Sequence, residues 1–215
     1  MQDRHMPKTS ELREDLAFRY RLHEPDAPDG SWAILLHGSG TDETVLLPFA
    51  AQVFPQARLL AVRGRIVQEE SRRWFARITP VAFDQDSIRS EANVFAAFLV
   101  QAGREHGFDP ADAVFVGYSN GANLVSSLLF LHPGLVRRAV LMRAMPVLDA
   151  PPPADLSAVS VLVLSGKRDA TYGPYAGPLA HELRRAGARV EAHAVDCGHE
   201  FSDPDAALIR NWLEP

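Results

Sequence analysis

A serine flanked by glycines, Gly117-Tyr118-Ser119-Asn120-Gly121, carries the sharpest chemical signal in the chain. It follows a short apolar run, Ala113 to Val116, and precedes a helical pattern starting near Asn120. Gly-x-Ser-x-Gly between a strand and a helix is the pattern of a nucleophile elbow. Such a turn is tight, so a Cβ at either glycine would crowd it, and it holds the serine in a strained backbone conformation. The following helix begins beneath the serine. Its first N–H groups then face the negative charge that develops during nucleophilic attack. Standing alone, the five residues also fit a glycine-rich turn with an incidental serine.

A serine hydroxyl is a weak nucleophile until a base takes its proton. His199, in Gly198-His199-Glu200, lies on a loop between the run Arg189 to Val195 and a last helical segment, where it can reach the strand ends. Most other histidines, including His5, His23, His106, His132, His181 and His193, read as surface or structural groups. The base in turn needs an orienting acid. Asp169, in Gly166-Lys167-Arg168-Asp169, directly follows the run Val161 to Leu164. A carboxylate just past a strand's C-terminal end shares the rim with the serine. Asp196 and Asp203 are nearer to His199 along the chain, but nearness in sequence does not bring a carboxylate beside the ring. His37-Gly38-Ser39-Gly40 follows the run Trp32 to Leu36 and precedes a helix that Thr41 or Asp42 would cap. The backbone N–H of Ser39, with that of Asn120, would make a two-donor oxyanion hole.

Trp74 and Phe75 are candidate walls of the acyl or alcohol pocket, with ordinary packing as the other reading. Cys197, two residues before His199, reads as a packing residue and not as a nucleophile. No His-Glu-x-x-His, phosphate loop or Gly-x-Gly-x-x-Gly is present, so no metal and no cofactor is expected.

These groups need a frame. Phe18 to His23, Trp32 to Leu36, Arg58 to Val62, Ala113 to Val116, Ala139 to Met142 and Val161 to Leu164 read as short strands. Most are continuous apolar runs, as strands buried on both faces of a parallel sheet require. Arg189 to Val195 alternates and fits an edge strand. Between them lie helical patterns. Ile88, Ala92, Phe95 and Leu99 share one helical face, as do Leu124, Val125, Leu128 and Leu129. Leu179 and Leu183 lie on a helix that Gly187 would end. Asp203-Pro204 reads as N-cap and N1 of a last helix carrying Leu208 and Trp212. The repeated strand-then-helix order predicts a mostly parallel central sheet with helices on both faces. Fewer than about 30 residues separate the run Ala139 to Met142 from Asp169, and one strand must fit among them. That leaves no room for a lid domain, so the site should be an open rim.

The chain has 215 residues, enough for one α/β domain and short for two. A single domain over 1–215 is expected, with 1–16 flexible or peripheral. The net charge of −5 gives no reason to expect nucleic acid or an anionic membrane as partner. Basic residues are nearly all arginine, and Lys8 and Lys167 are the two lysines. A single cysteine excludes an internal disulfide. Met1 to Glu14 has no apolar core of a secretory signal, and no run is long enough to span a membrane. A cytoplasmic protein is expected, as monomer or homodimer.

His37-Gly38-Ser39-Gly40 with Thr41-Asp42-Glu43, the run Gly117 to Asn123, the run Gly166 to Pro174 and the run Cys197 to Phe201 together resemble the α/β-hydrolase superfamily. The resemblance falls in its small carboxylesterase and phospholipase branch, with acyl-protein thioesterase-like and dienelactone-hydrolase-like members, and runs from about Trp32 to Leu213. It implies an α/β-hydrolase fold, the chain order Ser119, Asp169, His199 for the triad, and oxyanion donors at Ser39 and Asn120. Acyl-protein thioesterases commonly carry Gln where this chain has Asn120, and Arg143-Ala144-Met145-Pro146 also departs from them. Dienelactone hydrolases carry cysteine where Ser119 stands. Arg63-Gly64-Arg65 through Arg73-Trp74-Phe75 is more similar to small bacterial esterases associated with aromatic-compound stress. The expected activity is hydrolysis of small soluble carboxylic esters, the substrate being the small-molecule partner. A thioesterase or lysophospholipase is the alternative within the enzyme class, and a non-catalytic ligand-binding protein the alternative outside it.

Overall fold

Eight strands form one sheet through the middle of the molecule, whose computed structural model describes residues 8–214. In chain order the first elements are β1 (Lys8–Thr9), β2 (Arg19–Glu24), β3 (Trp32–Leu36), α1 (Leu47–Val53) and β4 (Arg58–Arg63). Two small hairpins follow, β5 (Ile66–Gln68) with β6 (Ser71–Arg73), and β7 (Arg77–Thr79) with β8 (Ala82–Phe83). Then come α2 (Gln85–His106), β9 (Val114–Tyr118), α3 (Asn120–Leu131) and β10 (Arg138–Met142). The chain finishes with β11 (Ser160–Gly166), α4 (Ala176–Arg185), β12 (Arg189–Val195) and α5 (Asp203–Leu213).

The order across the sheet is β1-β2-β4-β3-β9-β10-β11-β12. β1 and β2 run antiparallel to their neighbours, and every pair from β4 to β12 is parallel. All five residues of β3 are buried, which explains its unbroken apolar run. Side chains alternate between two cores. Ile34, Leu36, Phe115, Leu141 and Val163 meet α2, α3 and α4 on one face. Ala33, Leu35, Val116, Val140 and Leu164 meet α1 and α5 on the other. Ile88, Ala92, Phe95 and Leu99 are fully buried, so the spacing that predicted α2 is its core face. Asp84 caps that helix by accepting the Ser87 N–H at 2.9 Å, and Gly107 at φ 76° ends it. β12 is an edge strand, exposed along most of its length up to the buried Val195, and pairs only with β11 among the described residues.

Several local expectations shift. No helix starts at Thr41 or Asp42. The Asp42 carboxylate instead accepts from the Thr44 N–H and hydroxyl, at 2.9 and 2.6 Å, closing a turn, and α1 begins only at Leu47. The N-cap of α5 is Ser202, one residue before the expected Asp203, because the Asp205 carboxylate reaches back to the Ser202 N–H at 2.8 Å. On α5 the fully packed face is Asp205, Ala206 and Ile209, with Leu208 and Trp212 half-buried beside it. The hairpins between 66 and 83 had no counterpart in the sequence pattern. Of the N-terminal segment, residues 1–7, including His5 and much of the stretch read for a signal, lie outside the described residues. Thr9 pairs with His23, and Arg13 exchanges backbone bonds with Tyr20 at the sheet's edge. Residues 143–159 carry no helix or strand. Among the described residues no helix is long and apolar enough to cross a membrane.

Candidate active site

Because β3, β9, β11 and β12 are parallel, their C-terminal ends open on one rim. β9 lies between β3 and β10, and Ser119 stands at the turn where it passes into α3. The Ser119 backbone has φ 51° and ψ −116°, a conformation that a non-glycine residue adopts only at a cost. The Ser119 N–H donates to Met142 O at 2.8 Å and its carbonyl accepts the Asn123 N–H at 2.9 Å, which together hold the turn. Gly117 and Gly121 are required by close approach. A Cβ on Gly117 would lie 2.5 Å from Ala122 Cα, and one on Gly121 would run into the carbonyl of Leu36.

The Ser119 hydroxyl lies 2.9 Å from His199 Nε2. On the other side of the ring, His199 Nδ1 lies 2.6 Å from an oxygen of Asp169. The second Asp169 oxygen accepts the Tyr172 N–H at 2.9 Å. Burial of Asp169 pushes its carboxyl up, but the Tyr172 N–H and the His199 ring outweigh this and hold it below the ordinary aspartate range. The loops bearing the two residues are joined, since Lys167 N–H donates to Val195 O and Arg168 N–H to Cys197 O, at 2.8 and 2.9 Å. The rival acids are elsewhere. Asp196 is exposed and pairs with Arg168 at 2.7 Å, and Asp203 is an exposed residue in the first turn of α5.

Ser39 follows β3 and borders the same cleft as Asn120. Neither backbone N–H has a protein acceptor among the described residues. For Asn120 that follows from its place in the first helical turn. His37 braces the loop. Its Nδ1 donates to Gly38 O at 2.7 Å and its Nε2 accepts the Gly64 N–H at 2.9 Å. Those bonds define a neutral ring, and burial pulls its pKa down accordingly.

The cleft beside Ser119 holds about 230 Å³. Its walls are Arg73, Arg77, Pro80, Phe83 and Tyr172. Trp74 and Phe75 are not among them. Both are fully buried, and the Trp74 indole N–H donates to His37 O at 2.8 Å while its ring packs on Phe18 and Phe95. Large aromatic rings gain most where they are wholly removed from water. Phe75 stands behind the cleft, edge-to-face against Phe83 at 5.4 Å. The residues before and after this pair reach the wall instead, through the unanticipated hairpins.

Arg143, just past β10, carries no signal in the sequence beyond its departure from thioesterases. It has φ 56° and a side chain with no solvent exposure. Its guanidinium grips Asp205 of α5 at 2.9 and 2.7 Å, Glu200 O at 2.7 Å and Cys197 Sγ at 3.0 Å. The segment carrying His199 is thereby fastened to β10 and α5. Cys197 is buried there, with its sulfur accepting from Arg143. Among the described residues no three His, Cys, Asp or Glu side chains cluster as metal ligands.

A hydroxyl, an imidazole and a carboxylate in hydrogen-bonded series, beside two free N–H groups, can perform acyl transfer. The chain matches no family model. It is 31% identical to the Bacillus subtilis (strain 168) protein named Putative hydrolase MhqD over 182 residues, covering 84% of this chain and 91% of that one. A carboxylesterase structure from Mesorhizobium loti superposes with a TM-score of 0.92 at 51% identity, covering 94% of this chain and 97% of that one. A Bacillus cereus carboxylesterase superposes with a TM-score of 0.87 at 29% identity, covering 92% and 94%. With the sheet order, the elbow and these relatives together, the chain belongs to the small carboxylesterase branch of the α/β-hydrolase superfamily.

Proposed function

We propose that the protein is a serine carboxylesterase that hydrolyses small soluble carboxylic esters through an acyl-enzyme on Ser119. The observation that carries this reading is the unbroken series Ser119 Oγ, His199 Nε2, His199 Nδ1 and Asp169, with contacts of 2.9 and 2.6 Å, at the mouth of the cleft. Ser119 Oγ attacks the ester carbonyl carbon as His199 Nε2 takes its proton. The carbonyl oxygen gains the negative charge and accepts from the Ser39 and Asn120 N–H groups. The intermediate collapses, the carbon–oxygen bond to the alcohol breaks, and His199 returns its proton to the departing alkoxide. A water molecule then gives a proton to His199 and adds to the acyl carbon; the bond from that carbon to Ser119 Oγ breaks as His199 returns the proton to Oγ, which releases the carboxylic acid and restores Ser119. Asp169 holds the ring with Nδ1 protonated and balances the imidazolium.

Ser119→Ala is the direct test. It should remove nearly all turnover of p-nitrophenyl esters while circular dichroism stays native, and a fluorophosphonate probe should label Ser119 in the unaltered protein. Labelling mapped to Ser39, or activity in Ser119→Ala near that of the parent, would overturn the assignment.

A further inference from the structure

Arg73 ends β6 against the catalytic cleft, is only 6% exposed, and has no carboxylate within ion-pairing distance among the described residues. The contrast with its neighbours is sharp. Arg77 on the same wall pairs with Glu69 at 2.6 Å, and Arg143 is matched by Asp205. Arg73 makes one side-chain bond, from Nη1 to Ser39 Oγ at 2.9 Å. Its Nε is buried with no partner, as is that of Arg143, but the Arg73 Nη2, unlike that of Arg143, makes no bond to the protein and is not sealed off as Nε is. A buried, unbalanced guanidinium is costly to maintain unless something anionic completes it. Burial lowers its pKa, as expected of a cation with no counter-ion at hand.

We propose that the cleft takes esters bearing a carboxylate of their own, and that Arg73 holds that carboxylate beside the scissile bond. The proposal rests on the reading of Ser119, His199 and Asp169 as the hydrolytic series. The cleft's charge supports it. No Asp or Glu is among the lining residues, and of the lining arginines Arg77 and Arg143 are matched by Glu69 and Asp205, which leaves the Arg73 charge uncompensated. The N-terminus of α3 adds partial positive charge at the same place. Pro80, Phe83 and Tyr172 supply the apolar wall for the rest of the ester. A guanidinium tethered through Nη1 with Nη2 still unbonded can give a carboxylate a charge-assisted hydrogen bond.

The carboxylate could sit on the acyl or on the alcohol side, and two matched pairs separate these. Monomethyl glutarate against methyl valerate tests the acyl side. 3-Acetoxybenzoate against 3-acetoxybenzamide tests the alcohol side. Hydrolysis is followed by pH-stat titration. In one arm kcat/KM for the anion should exceed that of its neutral partner by about 10- to 100-fold, the range of a hydrogen bond to a charged group. That ratio should shrink as sodium chloride is raised. Arg73→Gln should bring it close to one, chiefly through KM of the anion, and Arg73→Lys should keep part of it. No preference in either arm of the unaltered protein overturns the proposal, whatever the variants do. So does a preference that survives Arg73→Gln, or a variant that slows both members of a pair equally, which would place the charge on the oxyanion instead. Absence of turnover in all four esters together with no fluorophosphonate labelling of Ser119 would instead overturn the hydrolytic reading, and this proposal with it.

Discussion

The side-chain oxygen of Asn120 accepts the backbone N–H of Trp74 at 2.8 Å. The residue after the elbow serine thus ties α3 to the segment that supplies Arg73. It also orders the stack beneath, since the Trp74 indole holds His37 O. One amide side chain and one indole N–H therefore join α3, the Arg73 segment and the loop after β3.

Asn120→Ala should leave that buried N–H without an acceptor, at a cost of about 1–3 kcal/mol. Urea unfolding should show a lower midpoint with unchanged slope, and the fluorescence of Trp74 should shift to the red. An unchanged midpoint would make the bond dispensable.

Asp169→Asn should keep the loop but favour the wrong tautomer of His199. In serine proteases the equivalent change lowers kcat about 10,000-fold. Asp196→Asn removes only an exposed pair with Arg168 and should leave kcat within a few-fold. Since Asp169 is held below its usual range, the rate profile should carry no inflection from it above about pH 4. Steady-state kinetics on p-nitrophenyl acetate checks both statements.

Asp205→Ala should strand the Arg143 guanidinium in the interior. Breaking a buried ion pair from one side costs about 3–5 kcal/mol. Replacing both partners, Arg143→Met with Asp205→Leu, should recover much of that stability. Yet the Glu200 carbonyl and Cys197 thiol would still lose their donor, so kcat should stay depressed. Chemical denaturation and kcat measured side by side distinguish the two effects.

Chain length offers a further check. The cleft holds about 230 Å³, and residues 143–159 contribute no helix to cover it. Each methylene buried adds about 0.8 kcal/mol, roughly fourfold in affinity, until the cleft is filled. Across p-nitrophenyl esters, kcat/KM should peak between acetyl and hexanoyl and fall by dodecanoyl, with no rise above the micelle concentration. A maximum at palmitoyl would favour the thioesterase or lysophospholipase alternative.

Ser119, Asp169 and His199 were legible because each follows a strand whose apolar run is unbroken or regularly alternating, and parallel strands bring their ends together. The glycines around Ser119 marked the turn for a steric reason that the structure displays. Arg73 and Phe83 were not legible. Their direction depends on hairpins of two or three residues per strand, too short for any period to register. Trp74 and Phe75 were placed in the wall because aromatic residues suit both cores and clefts, and only three-dimensional packing separates the two. The Arg143–Asp205 pair spans 62 residues, and nothing local to either signals the other. Asp205 is also the residue that accepts from the Ser202 N–H and hydroxyl in the capping box, which sets the N-cap one residue before Asp203.

Arg143 also has a dynamic consequence. Its N–H donates to Leu164 O at 2.7 Å, and its guanidinium closes on α5 and on the segment around His199. The last helix and the His199 segment are joined through these buried bonds and should open as one unit. Slow amide exchange in α5 and in the Cys197 to Phe201 loop should report a single opening free energy. The position of the His199 ring should then depend on the stability of the C-terminal third of the chain, through a helix that contributes no residue to the cleft lining.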